Sequence, residues 1–534
     1  MIYAMKHSGY IFIAIFVQLI ILTACTDSFE KYNTDKTGFN NEQQAYDYNI
    51  YGIPLKVVQE GIYFNYEWGS GKNWTFQVMQ NLSADMFCGY MHNYNPFNAG
   101  LSNTVYNLND GWNGTMFENT YGFIMTEVKR SEDQTKDILP TFYAVTKILK
   151  VELMHRVSDF YGPIVYSKFG KSATGVEPDH QKDVYYAFFD DLEEAIQILL
   201  NYEGEETFAR FDMLMPQNNR TYSQWLKFAN SLRLRLAIRI AMVDPIKAKE
   251  EALKSLNLKN GGLLESSDDL IAVSTSGTGY SNPLGEINRA WGEASMNANM
   301  ESILGGYEDP RISKYFEPAT GEGYEGQFRG IRQGTGFNHM KYYNHSRLTT
   351  NQQTNAILMT AAEIWFLRAE AALRGWSGED IETCYRKGVE TSFAQWNARY
   401  VNEYLEKDSL PKDYIDTFSP QYNIKAVCRV SPKWDPNASD EIKLEKIITQ
   451  KWIACFPEGC EAWAEQRRTG YPRLFPVLLN KSNGAIDTDI MIRRLNFPVG
   501  VRTTYPEQYE ALCNYLGGPD NGGTRLWWDT GHNF

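Results

Sequence analysis

Three textures of apolar and polar residues alternate along the chain. One is a short apolar run, Ile11 to Leu22, interrupted only by Gln18. Another is a series of segments in which apolar residues recur at helical spacing. The last is a pair of long stretches, 63–107 and 261–354, where Gly, Asn and aromatic residues follow no period.

The periodic segments predict helices. The pattern over 41–61 suits a helix, and Asp110-Gly111-Trp112-Asn113 opens another that runs to Glu127. Pro140 sits at a favoured first-turn position. It leads a stripe of Phe142, Val145, Ile148, Leu149, Leu153 and Val157 that stops near Gly162-Pro163. A helix over 183–202 follows. Thr221 then caps a long helix to Met242, and Asp244-Pro245 restarts its partner through Leu256. The segment 359–376, rich in alanine and closed by Gly375, pairs in the same way with 379–396. Each pair covers about 36 residues, near the ~34-residue period of tetratricopeptide repeats. Ile442, Leu444, Ile447, Ile448, Trp452 and Ile453 mark one further helix. The aperiodic 261–354 is too long for a simple connection and reads as a functional or folded insertion.

The apolar run follows one basic residue, Lys6, and ends in Leu22-Thr23-Ala24-Cys25. Its length suits a signal peptide and is too short to span a bilayer. The four residues resemble a bacterial lipobox, which makes 1–24 a lipoprotein signal peptide. Cys25 would then be the acylated, palmitate-bearing N-terminus, and the polar 25–43 a tether. No later segment has the ~18 consecutive apolar residues of a spanning helix. Without a Pro/Ser/Gly linker to divide it, 44–534 reads as a single helical domain with insertions near 63–107 and 261–354.

Composition narrows the function. The 534 residues carry a net charge of −13 with no basic stripe, which argues against nucleic acid. Aromatics reach 14%, with 34 Tyr and 13 Trp, residues that suit wet ligand-binding surfaces. Six cysteines follow Cys25, too sparse for a disulfide scaffold. Cys455 and Cys460 could pair locally, although free buried thiols are the commoner state in a large domain.

Catalytic patterns fail on inspection. Gly321 to Gly326 spells G-x-G-x-x-G, but it follows no strand and opens no helix. Gly170-Lys171-Ser172 lacks the earlier phosphate-loop glycine, because position 165 is Val165. No H-E-x-x-H or G-x-S-x-G is present, and the histidines are scattered. Asp435 to Asp440 lacks the Gly turn and distal Glu of a calcium loop. The sequence therefore implies no enzyme, metal or cofactor. A surface-anchored hydrolase needs placed carboxylates that have no local signal, and a purely structural repeat protein has no need of aromatic loops. The aromatic composition of the two aperiodic stretches favours binding, with Trp68, Trp74, Tyr90, Tyr94 and Trp291 as the candidate ligand residues.

Several stretches together resemble the SusD/RagB family of nutrient-binding outer-membrane lipoproteins. They are the lipobox, Asp110 to Asn113, Lys150 to Tyr166, Lys446 to Trp452, Arg493 to Pro498 and Thr524 to Asp529. The most specific is Glu461-Ala462-Trp463 with Arg467-Arg468-Thr469-Gly470-Tyr471-Pro472. The resemblance implies a mainly α fold, a superhelix of tetratricopeptide-like helix pairs bearing a loop-rich ligand face. It also implies a lipid-anchored outer-membrane location facing the cell exterior, and a SusC-like TonB-dependent transporter as the partner that the protein covers as a lid. The ligand would be an oligosaccharide, with a peptide as the alternative. The family has no fixed catalytic residues to carry over. The Cys455–Cys460 loop departs from its pattern.

Overall fold

A computed structural model of the protein describes residues 47–64, 74–95, 97–172, 175–335 and 339–534. Cys25, the apolar run, the tether and Trp68 lie outside the described residues. The chain divides into Met1–Ile53 and Pro54–Phe534. Apart from Asn49–Ile53 of the first helix, the elements described below lie in the second unit.

The fold is mainly α. The longer helices are α1 (Asn49–Ile62), α2 (Met125–Thr135), α3 (Pro140–Tyr161), α4 (Gln181–Leu200), α5 (Tyr222–Arg239) and α6 (Pro245–Leu256). They continue with α7 (Ala298–Tyr307), α8 (Ala361–Leu373), α9 (Ile381–Gln395), α10 (Asp440–Cys455), α11 (Gly459–Thr469) and α12 (Pro506–Leu516). Consecutive helices pack as pairs: α3 on α4, α5 on α6 and α8 on α9. α10 closes against both members of the last pair. The boundaries follow the caps. Thr221 accepts a hydrogen bond from Gln224 N at 3.2 Å, Asp244 from Lys247 N at 3.2 Å and Thr360 from Glu363 N at 3.1 Å. Gly375 takes the left-handed turn after α8, at φ 68°.

Two expectations are corrected. The helix expected over 110–127 is broken into Asp110–Asn113, Thr115–Asn119 and a wide π turn at Thr120–Ile124, before α2 runs on to Thr135. Gly114 and Gly122 fall in the broken part, and glycine weakens a helix interior. The apolar stripe of α3 is also incomplete as a description, because every residue from Thr141 to Tyr161 is buried. Its polar side chains therefore need partners. Lys147 binds Asp191 at 2.5 Å, Lys150 binds Glu132 at 3.0 Å, and Arg156 pairs with Glu458.

The three arginines that interrupt the apolar run of α5 are buried and paired across helices. Arg233 holds Glu251 at 2.6 Å, and Arg235 grips Glu363 through two contacts of 2.7 Å. Arg239 reaches Glu465 at 2.5 Å and also binds Glu461. Glu461 and Glu465 stand on α11, so these pairs tie α5 to the most family-like stretch of the sequence. Cys455 and Cys460 are free thiols, both buried. Among the described residues no helix is long and apolar enough to cross a membrane.

Candidate ligand-binding site

The two aperiodic stretches meet in a small sheet. Strand β1 (Met91–His92) pairs antiparallel with β3 (Ser295–Met296), in the register Met91 to Met296 and His92 to Ser295. Ser295 also bridges to Arg347, which adds a third segment. A second sheet joins β2 (Ile271–Val273) to β4 (Ala356–Met359) at the far ends of the longer insertion. These strands are too short for an alternating pattern to show in the sequence. Asn297 locks the first sheet. Its side chain donates to Met91 O at 3.1 Å and caps α7 by accepting from Asn299 N at 2.9 Å. Its backbone N–H donates to Tyr90 O at 3.1 Å.

The residues just outside these strands form the candidate site. Tyr94 follows β1, Trp291 and Glu293 precede β3, and Tyr343 and Arg347 come from the third segment. Tyr94 meets Tyr343 edge to face, with centroids 5.3 Å apart and planes at 87°. The Arg347 guanidinium lies 4.6 Å from the Tyr343 ring centroid, in cation–π geometry. Gly292 is required beside it. Its φ is +70°, and a Cβ there would stand 2.7 Å from Arg347 Nη1. Glu293 accepts from Gln77 Nε2 at 2.7 Å and from Asn95 Nδ2 at 2.9 Å. Both of its oxygens are thereby engaged by amides, which fixes the loops against each other rather than arming an acid–base group.

Electrostatics give the site a donor character. Partial burial pushes the Tyr94 hydroxyl above its usual range, while Arg347 draws it back, so the phenol stays protonated at neutral pH. Among the described residues no carboxylate lies within ion-pair reach of Arg347, and its donors remain for a ligand. Behind the site, burial lowers the pKa of His92 to about 4, which leaves the ring neutral. Neither ring nitrogen of His92 has a hydrogen-bond partner among the described residues. The arrangement offers ring faces and edges for the apolar side of a ligand, and Arg347 for its oxygens.

The candidate residues fare differently. Tyr94 and Trp291 are partly exposed and stand at the junction of the two insertions. Trp74 is 49% exposed and lies three residues before Gln77 in the adjoining turn. Tyr90 has no exposed surface. Its hydroxyl donates to Trp452 O, and its ring packs on Trp452 and Phe456 at 5.0 and 5.3 Å. A ring so enclosed is a core anchor and is removed from the site. Gln77, Asn95, Glu293 and Arg347 had no signal in the sequence, because the pairing of β1 with β3 brings together residues about 200 positions apart.

The family described as SusD-like, Susd and RagB outer membrane lipoprotein, matches residues 31–529. The chain belongs to the SusD/RagB family. A SusD homologue of Bacteroides vulgatus is 48% identical, with a TM-score of 0.87, over 92% of this chain and 100% of its own. A chitin-binding SusD homologue of Flavobacterium johnsoniae is 38% identical, with a TM-score of 0.86, over 90% of this chain and 99% of its own. A SusD homologue of Bacteroides uniformis is 35% identical, with a TM-score of 0.79, over 91% and 99%. No curated protein matches. The SusD/RagB fold of tetratricopeptide-like pairs accounts for the packing of α3 to α9, and members of the family are nutrient-binding outer membrane lipoproteins.

Proposed function

We propose that this SusD/RagB protein is a lipid-anchored receptor that captures an oligosaccharide at the cell surface and delivers it to a SusC-like TonB-dependent transporter, which it covers as a lid. It performs no catalysis of its own. The reading rests chiefly on one observation: the segments flanking the β1–β3 sheet bring together Tyr94, Tyr343 and Arg347, which has no carboxylate partner among the described residues. Sugar rings present apolar faces to aromatic side chains, and their hydroxyl or acetamide oxygens accept hydrogen bonds from Arg and Tyr. The chitin-binding relative favours an N-acetylated sugar, whose amide carbonyl suits the Arg347 donors. Trp74 and Trp291 extend the platform, and Trp68 stays a candidate in the same loop.

Calorimetry against chito-oligosaccharides, other glycans and short peptides tests this reading. Saturable binding of a glycan, with none of peptide, is the expected result. Binding of peptide alone would transfer the site to the peptide-lid alternative, and turnover of any glycan would refute a noncatalytic receptor. Cys25 is proposed as the acylation site. Labelled palmitate should enter the wild-type chain and be absent from Cys25→Ser.

A further inference from the structure

A second cavity, of about 470 Å³, opens at the C-terminal end of α11 and shares none of its lining residues with the aromatic site. Five arginines line it: Arg467, Arg468, Arg473, Arg493 and Arg525. Asp489 is the one carboxylate among its described lining residues. That is an unusual concentration of cations in a chain of net charge −13.

The charges around the cavity do not cancel. Arg468 is neutralised by Glu370 and Glu465, at 2.7 and 2.8 Å. Arg493 and Arg525 share a single carboxylate, Asp529, at 2.6 and 2.5 Å. Arg473, with its side chain half-exposed, has only Glu445 at 3.4 Å. Arg467 has no carboxylate within ion-pair reach among the described residues. It is 1% exposed and lies flat on the Trp463 ring, 3.6 Å from the centroid. It spends Nε on Trp463 O at 3.2 Å and Nη1 on Asp159 O and Arg493 O at 2.6 and 2.7 Å. Its Nη2 has no hydrogen-bond partner among the described residues. Burial pulls its pKa down to about 9, with Arg493 and Arg239 adding to the fall and the nearby Asp159 and Asp529 opposing it. A buried guanidinium is costly unless an anion compensates it. Guanidinium forks suit planar and tetrahedral oxyanions.

We propose that this cavity binds an oxyanion group, a carboxylate, sulfate or phosphate carried by a small ligand or free in solution. Arg467 supplies the buried charge, and Arg473 and Arg525 supply the exposed ones.

Calorimetry on the full chain in detergent tests this with sodium sulfate and sodium glucuronate, against sodium chloride at equal ionic strength and neutral glucose. Saturable binding of both probes supports a free-oxyanion site, and binding of glucuronate alone supports an acidic-sugar site. In Arg473→Gln/Arg525→Gln the affinity should fall at least tenfold with the thermal midpoint unchanged, since both side chains are partly exposed. No saturable binding of either probe, or equal affinity in the variant, overturns the proposal. Should that variant fail to fold, wild-type crystals soaked in selenate decide the matter: an anomalous peak at the Arg467 guanidinium supports the site, and its absence overturns it.

Discussion

Asp85 carries the clearest pH signature of any single residue. It is fully buried, accepts from Gln80 Nε2 at 3.1 Å, and burial pushes its carboxyl from 3.8 up to about 7. A raised carboxyl pKa means that the folded state binds the proton more tightly than the unfolded chain. Stability therefore falls as pH rises from about 4 to 7, and the loss is complete above 7. Asp85→Asn should flatten that slope and raise stability at pH 8 by on the order of 1–3 kcal/mol. Thermal melts at pH 5 and pH 8 check it, and an unchanged slope would refute it. Glu152, raised to about 7 by the same cause, supplies part of the slope that remains. Arg239 works in the opposite sense. Arg239→Ala removes one cation from Glu461 and Glu465, which keep Lys451 and Arg468 at 2.7 and 2.8 Å, and denaturant unfolding should show a loss of about 1–3 kcal/mol. Little of this was legible in the sequence. In the sequence Arg233, Arg235 and Arg239 only interrupt the apolar run Leu232 to Val243, and Tyr90 is indistinguishable from an exposed tyrosine. Arg235, Arg239 and Tyr90 have partners more than a hundred positions away, and Arg233 has its partners, Glu251 and Glu193, on neighbouring helices.

At the scale of elements, the sequence was a better guide where one local signal decided the outcome. Pro140, Thr221, Asp244-Pro245 and Gly375 mark real helix ends, because a cap or a proline acts within a few residues. The breaks between Asp110 and Ile124 and the four short strands depend on packing, so no periodicity announced them. Helix pairing also rests on a position that looked unremarkable. Gly388 on α9 faces α8, and a Cβ there would lie 2.7 Å from the Phe366 ring. Phe366 is fully buried and cannot swing away. Gly388→Val should cost about 1–3 kcal/mol by overpacking, whereas a valine at the exposed Gly378, with open space around it, should cost under 1 kcal/mol. Denaturant midpoints of the two variants make the comparison.

For the whole molecule, the account is of a binding platform made from two insertions on a helical scaffold. The scaffold and the family were legible early, since Glu461 to Pro472 and the helix pairs are contiguous in sequence. The site was legible only as two aromatic-rich stretches. Which rings face outward, and that Arg347 joins them, follows from the β1–β3 pairing. A binding platform must hold its ligand while its scaffold stays rigid, so changes at the site should alter affinity and leave stability alone. Tyr343 is exposed and Arg347 has no carboxylate partner among the described residues, so removing both should not disturb the core. The decisive measurement is calorimetric titration of wild type and Tyr343→Ala/Arg347→Ala with the tightest-binding oligosaccharide of the panel. The account predicts at least tenfold weaker binding in the double variant, about 1.4 kcal/mol or more, with an unchanged thermal midpoint. Equal affinity in the two proteins would contradict it.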